Sequence, residues 1–196
     1  ANPSSMFSAT TEYALKCGKD GYFNGLKFNN TALLCCAFAS AVDSLMALKK
    51  FVYDDKRVSL EELSAALDAN WQGFEKLRLQ IRNSPIKYGN NNPEADRYAA
   101  AIADYYSGRV NNIPNGRGGV YKAIMHSART FIEQGKKTLA SADGRKNGDI
   151  LSKNASPCDG MDKNGVTALI ESALRLTPSN FHESFCLDIM LHPSAI

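Results

Sequence analysis

Ala140-Ser141-Ala142-Asp143-Gly144-Arg145-Lys146-Asn147-Gly148-Asp149-Ile150-Leu151, followed closely by Ser156-Pro157-Cys158-Asp159-Gly160-Met161-Asp162-Lys163-Asn164-Gly165-Val166-Thr167-Ala168, is the part of this chain on which its fold turns. Asp143-Gly144 and Asn147-Gly148 mark turns around the basic pair Arg145-Lys146. The run stays irregular up to a helix expected from about Gly165 to Leu176, which Thr177-Pro178 ends. Irregular segments this long inside a compact fold serve binding or stay mobile. The residues alone leave a binding role and a turn-rich connection both open.

Upstream, the chain reads mostly as helix. Thr31 to Tyr53 is expected to be one long helix, because Leu34, Phe38, Ala41, Leu45, Leu48 and Val52 recur at helical steps. Leu33, Ala37 and Val42 widen that stripe. A second helix starts at Ser59, which stands at capping-box spacing from Glu62, and turns Leu60, Leu63 and Leu67 inward. A third covers Phe74 to Asn83. A fourth opens with Asn92 as cap and Pro93 at the first helical position, where a missing N–H costs nothing, and reaches Gly108. Arg109 to Gly119 reads as loop, and Val120 to Ala128 as strand. Phe185, Leu187, Ile189 and Leu191 alternate with Cys186, Asp188, Met190 and His192, a second strand signal. Two strands without neighbours leave backbone N–H and C=O groups unpaired. The expected fold is α/β, helix-rich and incomplete on its own, and residues 1–196 show no second domain.

Composition excludes several function classes. Hydrophobic residues make up 44% and charged residues 22% of the chain, the balance of a folded rather than a disordered protein. The net charge of +3 points to neither nucleic acid nor an anionic membrane as partner. Thr31 to Leu48 is the nearest approach to an apolar span, and it carries Asp43. Ala1 to Ser5 have neither a basic nor an apolar signal region and no initiator Met, which suggests that the chain starts within something longer. The five cysteines, Cys17, Cys35, Cys36, Cys158 and Cys186, form no CxxC and read as unpaired thiols of a reducing cytoplasm.

Most single features have plain structural readings. Cys35-Cys36 is expected inside a helix on an apolar surface, where a thiol stays protonated. His126, His182 and His192 lack metal-ligand spacing, and no metal site is expected. Asp54-Asp55-Lys56-Arg57 reads as a solvated helix end, and Gly116-Arg117-Gly118-Gly119 as a flexible loop. No nucleophile elbow, P-loop or dinucleotide fingerprint is present. Gly21 to Thr31, rich in aromatics, amides and glycines, resists a purely structural reading.

The two opening stretches resemble the glycyl radical enzymes, the family of pyruvate formate-lyase and the related dehydratases and lyases. Members carry a pattern like A-T-P-D-G-R-K-x-G-x-P-L, then S-P-x-x-G-x-D-x-x-G-P-T-A, a helix, and a strand ending in H-P-S, here His192-Pro193-Ser194. Gly25 to Thr31 looks like the family's G-x-K-Y-N-N-T. Val42-Asp43-Ser44-Leu45 through Val52-Tyr53, Asn70 through Phe74, and Lys87-Tyr88-Gly89-Asn90 also match in order. Ala142, Ile150 and Val166 stand where prolines are common in the family, which leaves the substrate class open.

The resemblance implies a portion of a pyruvate formate-lyase-like β/α barrel. It implies a formate acetyltransferase, dehydratase or lyase whose glycyl radical takes hydrogen from a cysteine thiol, the thiyl then taking hydrogen from substrate. Neither residue is expected in this chain. No cysteine sits in a Gly-Cys-x-Glu loop, and Arg57-Val58-Ser59-Leu60 and Arg109-Val110-Asn111-Asn112 lack the radical glycine. The order of motifs places the thiyl loop before Ala1 and the glycine after Ile196, so this segment alone is expected to be inactive and to bind no cofactor. Also implied are an S-adenosylmethionine-dependent activating enzyme with an iron–sulfur cluster, a small-molecule substrate, the remainder of the same enzyme, a homodimer, and an anaerobic cytoplasm. Asn29, Asn30, Ser156, Pro157, Cys158 and Asp159 resemble stretches near the barrel interior and are the expected substrate-pocket residues. The competing reading is a non-catalytic helical interaction module derived from such a barrel.

Overall fold

A computed structural model describes residues 3–190. In chain order its elements are α1 (Ser5–Ala9), α2 (Glu12–Cys17), β1 (Thr31–Leu34), α3 (Phe38–Ala47), α4 (Leu60–Asp68), α5 (Glu75–Arg82), α6 (Pro93–Val110), β2 (Tyr121–Ile124), α7 (Thr130–Gly135) and α8 (Gly165–Leu174). Leu48–Asp54 prolongs α3 as a π-helix.

Local chemistry sets the helix starts. The Ser59 hydroxyl accepts from the Glu62 amide at 3.1 Å, and Glu62 accepts from the Ser59 amide at 2.8 Å, closing the expected capping box of α4. Asn92 Oδ1 accepts from the amides of Glu94 and Ala95 at the start of α6, with Pro93 beside it. α5 and α8 also lie where expected.

The expected helix over Thr31 to Tyr53 is corrected at its front. Thr31–Leu34 is strand β1, parallel to β2 with Thr31 opposite Tyr121 and Leu34 opposite Ile124. Ala37, at φ 64°, breaks the chain between strand and helix. The buried face of α3 is also rotated from the expected stripe. Phe38, Ala39, Val42 and Met46 are buried, while Ala41 and Leu45 are exposed. In α4, Leu63 and Ala66 are buried and Leu60 is exposed. Among the described residues, the strand expected from Phe185 shrinks to one parallel bridge between Phe185 and Met125. Leu191 and the His192-Pro193-Ser194 motif lie outside the described residues.

Two apolar clusters hold these elements together. In one, α3 packs on α6 through Phe38, Ala39 and Val42 against Ala99 and Ala103, small residues that let the helices approach closely. Tyr88 meets the Phe38 ring edge-on at 5.6 Å, a pairing worth about 0.5–1.5 kcal/mol beyond its buried area. The other gathers Phe51, Leu63, Trp71, Ile81 and Ala142. The loop over 111–120 is anchored at Gly119, where an added Cβ would lie 2.3 Å from the Asn29 carbonyl oxygen.

Candidate functional site

The site forms where the first turns of α3 meet three loops. Ser40 and Asp43, three residues apart on α3, share one helix face. The Ser40 amide donates to Ser152 Oγ and the Ser152 amide to Ser40 Oγ, each at 3.0 Å, locking the loop at 152 to the helix. Cys158 Sγ lies 3.6 Å from Ser40 Oγ and donates to Asp143 Oδ2 at 3.8 Å.

Asp143 is held by its own loop. Its Oδ1 accepts from Ser141 Oγ at 2.5 Å and from the Arg145 amide at 3.2 Å, while its own amide donates to Ser44 Oγ. Arg145 spends its guanidinium on the carbonyls of Lys146, Asp149, Thr138 and Leu139, and so is a structural clasp rather than a free cation. Trp71 Nε1 donates to the Arg145 carbonyl at 3.0 Å from the second apolar cluster. Gly144, at φ 92°, leaves room for the Arg82 stem, whose Cγ would lie 2.6 Å from an added Cβ.

Behind these groups lies a buried charge pair. Asp43 Oδ1 accepts from the Tyr88 amide at 3.0 Å, and Lys87 Nζ stands 3.6 Å from Asp43 Oδ2. Burial pushes the Asp43 carboxyl up to about 6, against the opposing pull of Lys87 and the Tyr88 amide. Burial likewise raises the Cys158 thiol well above its ordinary range, and the Asp43 and Asp143 carboxylates add to the rise. Cys158 therefore presents a neutral thiol, a weak hydrogen-bond donor, and not a thiolate nucleophile.

Two cavities meet at this thiol. One of about 460 Å³ is bordered by Ser40, Arg82, Asp143, Ser152, Cys158 and Asp159. The other, about 390 Å³, is bordered by Ser156, Pro157, Cys158, Asp159, Asp188 and Met190. Ser156 Oγ donates to Asp188 Oδ2 at 3.1 Å, and the Asp188 amide returns a bond to Ser156 Oγ at 2.8 Å. Ser156, Pro157, Cys158 and Asp159 are thus brought to one wall.

Asn29 and Asn30 are placed elsewhere, before the first residue of β1 and away from the turn that leads into α3. Asn29 gives its carbonyl to Asn115 Nδ2 at 2.6 Å, and Asn30 Oδ1 accepts from the Val120 amide at 3.3 Å. Cys35-Cys36 falls in the turn after β1, not inside a helix as expected. Burial, then the neighbouring Cys36, pushes the Cys35 thiol up to about 11, so desolvation keeps it protonated as expected, though in a turn rather than a helix. Ser40, Asp43 and Lys87 carry no site role in the sequence reading; a lone carboxylate on an apolar helix was the one signal available for Asp43. Among the described residues, no group of three His, Cys, Asp or Glu side chains is arranged to hold a metal ion. Also among the described residues, no helix is long and apolar enough to cross a membrane.

Residues 1–135 match the pyruvate formate lyase-like family. The chain belongs to that family, within the glycyl radical enzymes. It is 32% identical over 174 residues to trans-4-hydroxy-L-proline dehydratase of Clostridioides difficile, covering 89% of this chain and 22% of that protein. It is 33% identical over 182 residues to (2S)-3-sulfopropanediol dehydratase of Klebsiella oxytoca, covering 90% and 22%. Hydroxyproline dehydratase from Clostridioides difficile, solved with trans-4-hydroxy-L-proline bound, superposes with a TM-score of 0.84 at 31% identity, covering 94% of this chain and 23% of that one. The B12-independent glycerol dehydratase of Clostridium butyricum, with glycerol bound, gives 0.83 at 29% identity over 94% and 23%. The chain therefore spans about a quarter of the length of these relatives. Its helix-rich α/β architecture is a portion of their barrel.

Proposed function

We propose that this segment supplies one wall of the substrate cavity of a glycyl radical dehydratase or lyase and carries neither radical residue. The observation behind the proposal is the meeting of two cavities at Cys158-Asp159, in the second of the two family-like motifs, with Asp143 of the first motif 3.8 Å from the thiol. The relatives named above favour elimination of a small leaving group over formate acetyl transfer. A glycyl radical installed by an S-adenosylmethionine-dependent activating enzyme would supply the hydrogen-atom chemistry from the remainder of the enzyme. This chain's residues do the rest of the work at the wall. Asp143 holds the Cys158 thiol, the Ser40–Ser152 exchange fixes the backbone on either side, and the neutral thiol avoids competing nucleophilic chemistry. A closed, hydrogen-bonded wall also keeps solvent from reactive intermediates.

The setting that goes with this function is an anaerobic cytoplasm, with a second copy of the enzyme as homodimer partner. In the activated full-length enzyme, Cys158→Ala is expected to change KM for substrate while the glycyl radical signal in electron paramagnetic resonance keeps its yield. A Cys158→Ala enzyme with unchanged KM and kcat removes Cys158 from the cavity wall.

A further inference from the structure

A third cavity, separate from the Cys158 wall except for sharing Arg82, is lined by three cations, of which Lys87 is paired from behind with Asp43. It has a volume of about 200 Å³, and Arg82, Lys87 and Lys163 border it together with Asn83, Asn90 and Asn164. Among the described residues, no carboxylate lines it. The Arg82 guanidinium has no acceptor or ion-pair partner among the described residues. The Lys87 side chain is 5% exposed, yet its nearest acceptors are Asp43 Oδ2 at 3.6 Å and the Asp143 carbonyl at 3.5 Å. Charge-assisted bonds of this type normally close to about 2.7–2.9 Å, so the buried ammonium keeps donor capacity to spare. Lys163 Nζ reaches Asn83 Oδ1 at 3.4 Å, a neutral partner.

The frame of the cavity is rigid. Asn90 Oδ1 accepts from the amides of Lys163 and Asn164 at 2.8 and 3.1 Å, and its Nδ2 donates to the Met161 carbonyl at 2.7 Å. Asn164, on the cavity wall, immediately precedes α8. Its side chain does not cap that helix, and no acidic residue sits in the first turn. The positive end of the helix therefore adds to the field of the three cations.

We propose that this cavity binds a small tetrahedral oxyanion of the phosphate or sulfonate type. Arg82 and Lys163 engage it from the rim, and Lys87 engages it from the buried side, where Asp43 balances the lysine from behind.

The test is calorimetric titration of the full-length protein with inorganic phosphate and with methanesulfonate, at low and high sodium chloride. The expected result is saturable binding of at least one of them, weakened by salt and at least about tenfold weaker in Lys163→Gln, a loss of about 1.4 kcal/mol. Lys163→Arg should retain binding, as should Lys137→Gln at an exposed position away from the cavity. Because Lys163 is itself exposed, its substitution leaves the fold intact. Absence of binding by both anions overturns the proposal, as does binding that Lys163→Gln and Arg82→Gln leave unchanged.

Discussion

Gly89 and Pro157 are packed so closely that a Cβ on the glycine would lie 2.7 Å from the proline Cβ. Gly89 also sits at φ 90°, where an L side chain is strained. This contact seats the loop that carries Lys87 and Tyr88 against the loop that carries Cys158. Gly89→Ala is expected to destabilise the protein by about 1–3 kcal/mol through overpacking alone, with backbone strain added. Denaturant unfolding measures it, and a second substitution, Pro157→Gly, should recover the overpacking part and leave the strain.

The raised Cys158 thiol predicts slow alkylation. Iodoacetamide should label exposed Cys17 well before Cys158, which reacts only as the pH is raised. The Asp143 carboxylate adds to the rise, so Asp143→Asn should move the pH–rate profile of Cys158 toward lower pH. Mass spectrometry of the labelled peptides reads both effects. A profile that does not move removes Asp143 as an electrostatic neighbour of the thiol.

The Asp43–Lys87 pair predicts two different responses. Asp43 rises from 3.8 to about 6 on folding, so the native state holds its proton more tightly than the unfolded chain. Its contribution to stability therefore falls as pH rises from about 3.8 to about 6 and is level above that. Asp43→Asn should remove that slope. It should also cost about 3–5 kcal/mol near neutral pH by leaving the buried Lys87 ammonium without its carboxylate. Asp43→Asn combined with Lys87→Met should recover much of the loss.

Helices α4 and α6 were legible because their signals are local, whereas the short helices α1, α2 and α7 carry no such signal and were not read. Ser59 with Glu62, and Asn92 with Pro93, announce a helix start within four residues, and the structure uses both caps. Strand β1 was hidden because Thr31-Ala32-Leu33-Leu34 is a short apolar run, and periodicity cannot separate such a strand from a buried helical turn. The break at Ala37 was equally invisible, since alanine rarely takes a positive φ and nothing in the sequence marks it. Ser156 through Asp159 were singled out by their motif, and they border one cavity. Ser40 and Lys87 were not, because their places depend on loops distant in sequence that fold back onto α3.

β1 has one sheet neighbour, β2, among the described residues. A segment that relies on further strands should not fold cooperatively by itself. Residues 1–196 produced in isolation are expected to bind a hydrophobic dye and to melt without a cooperative transition. A sharp monomeric melt would favour the independent helical module instead.

The most direct measurement is a crystal structure of the full-length enzyme with its own substrate bound. Cys158 and Asp159 are expected to lie within about 4.5 Å of the substrate, with Asp143 still holding the thiol. Substrate bound out of reach of both residues would contradict that placement.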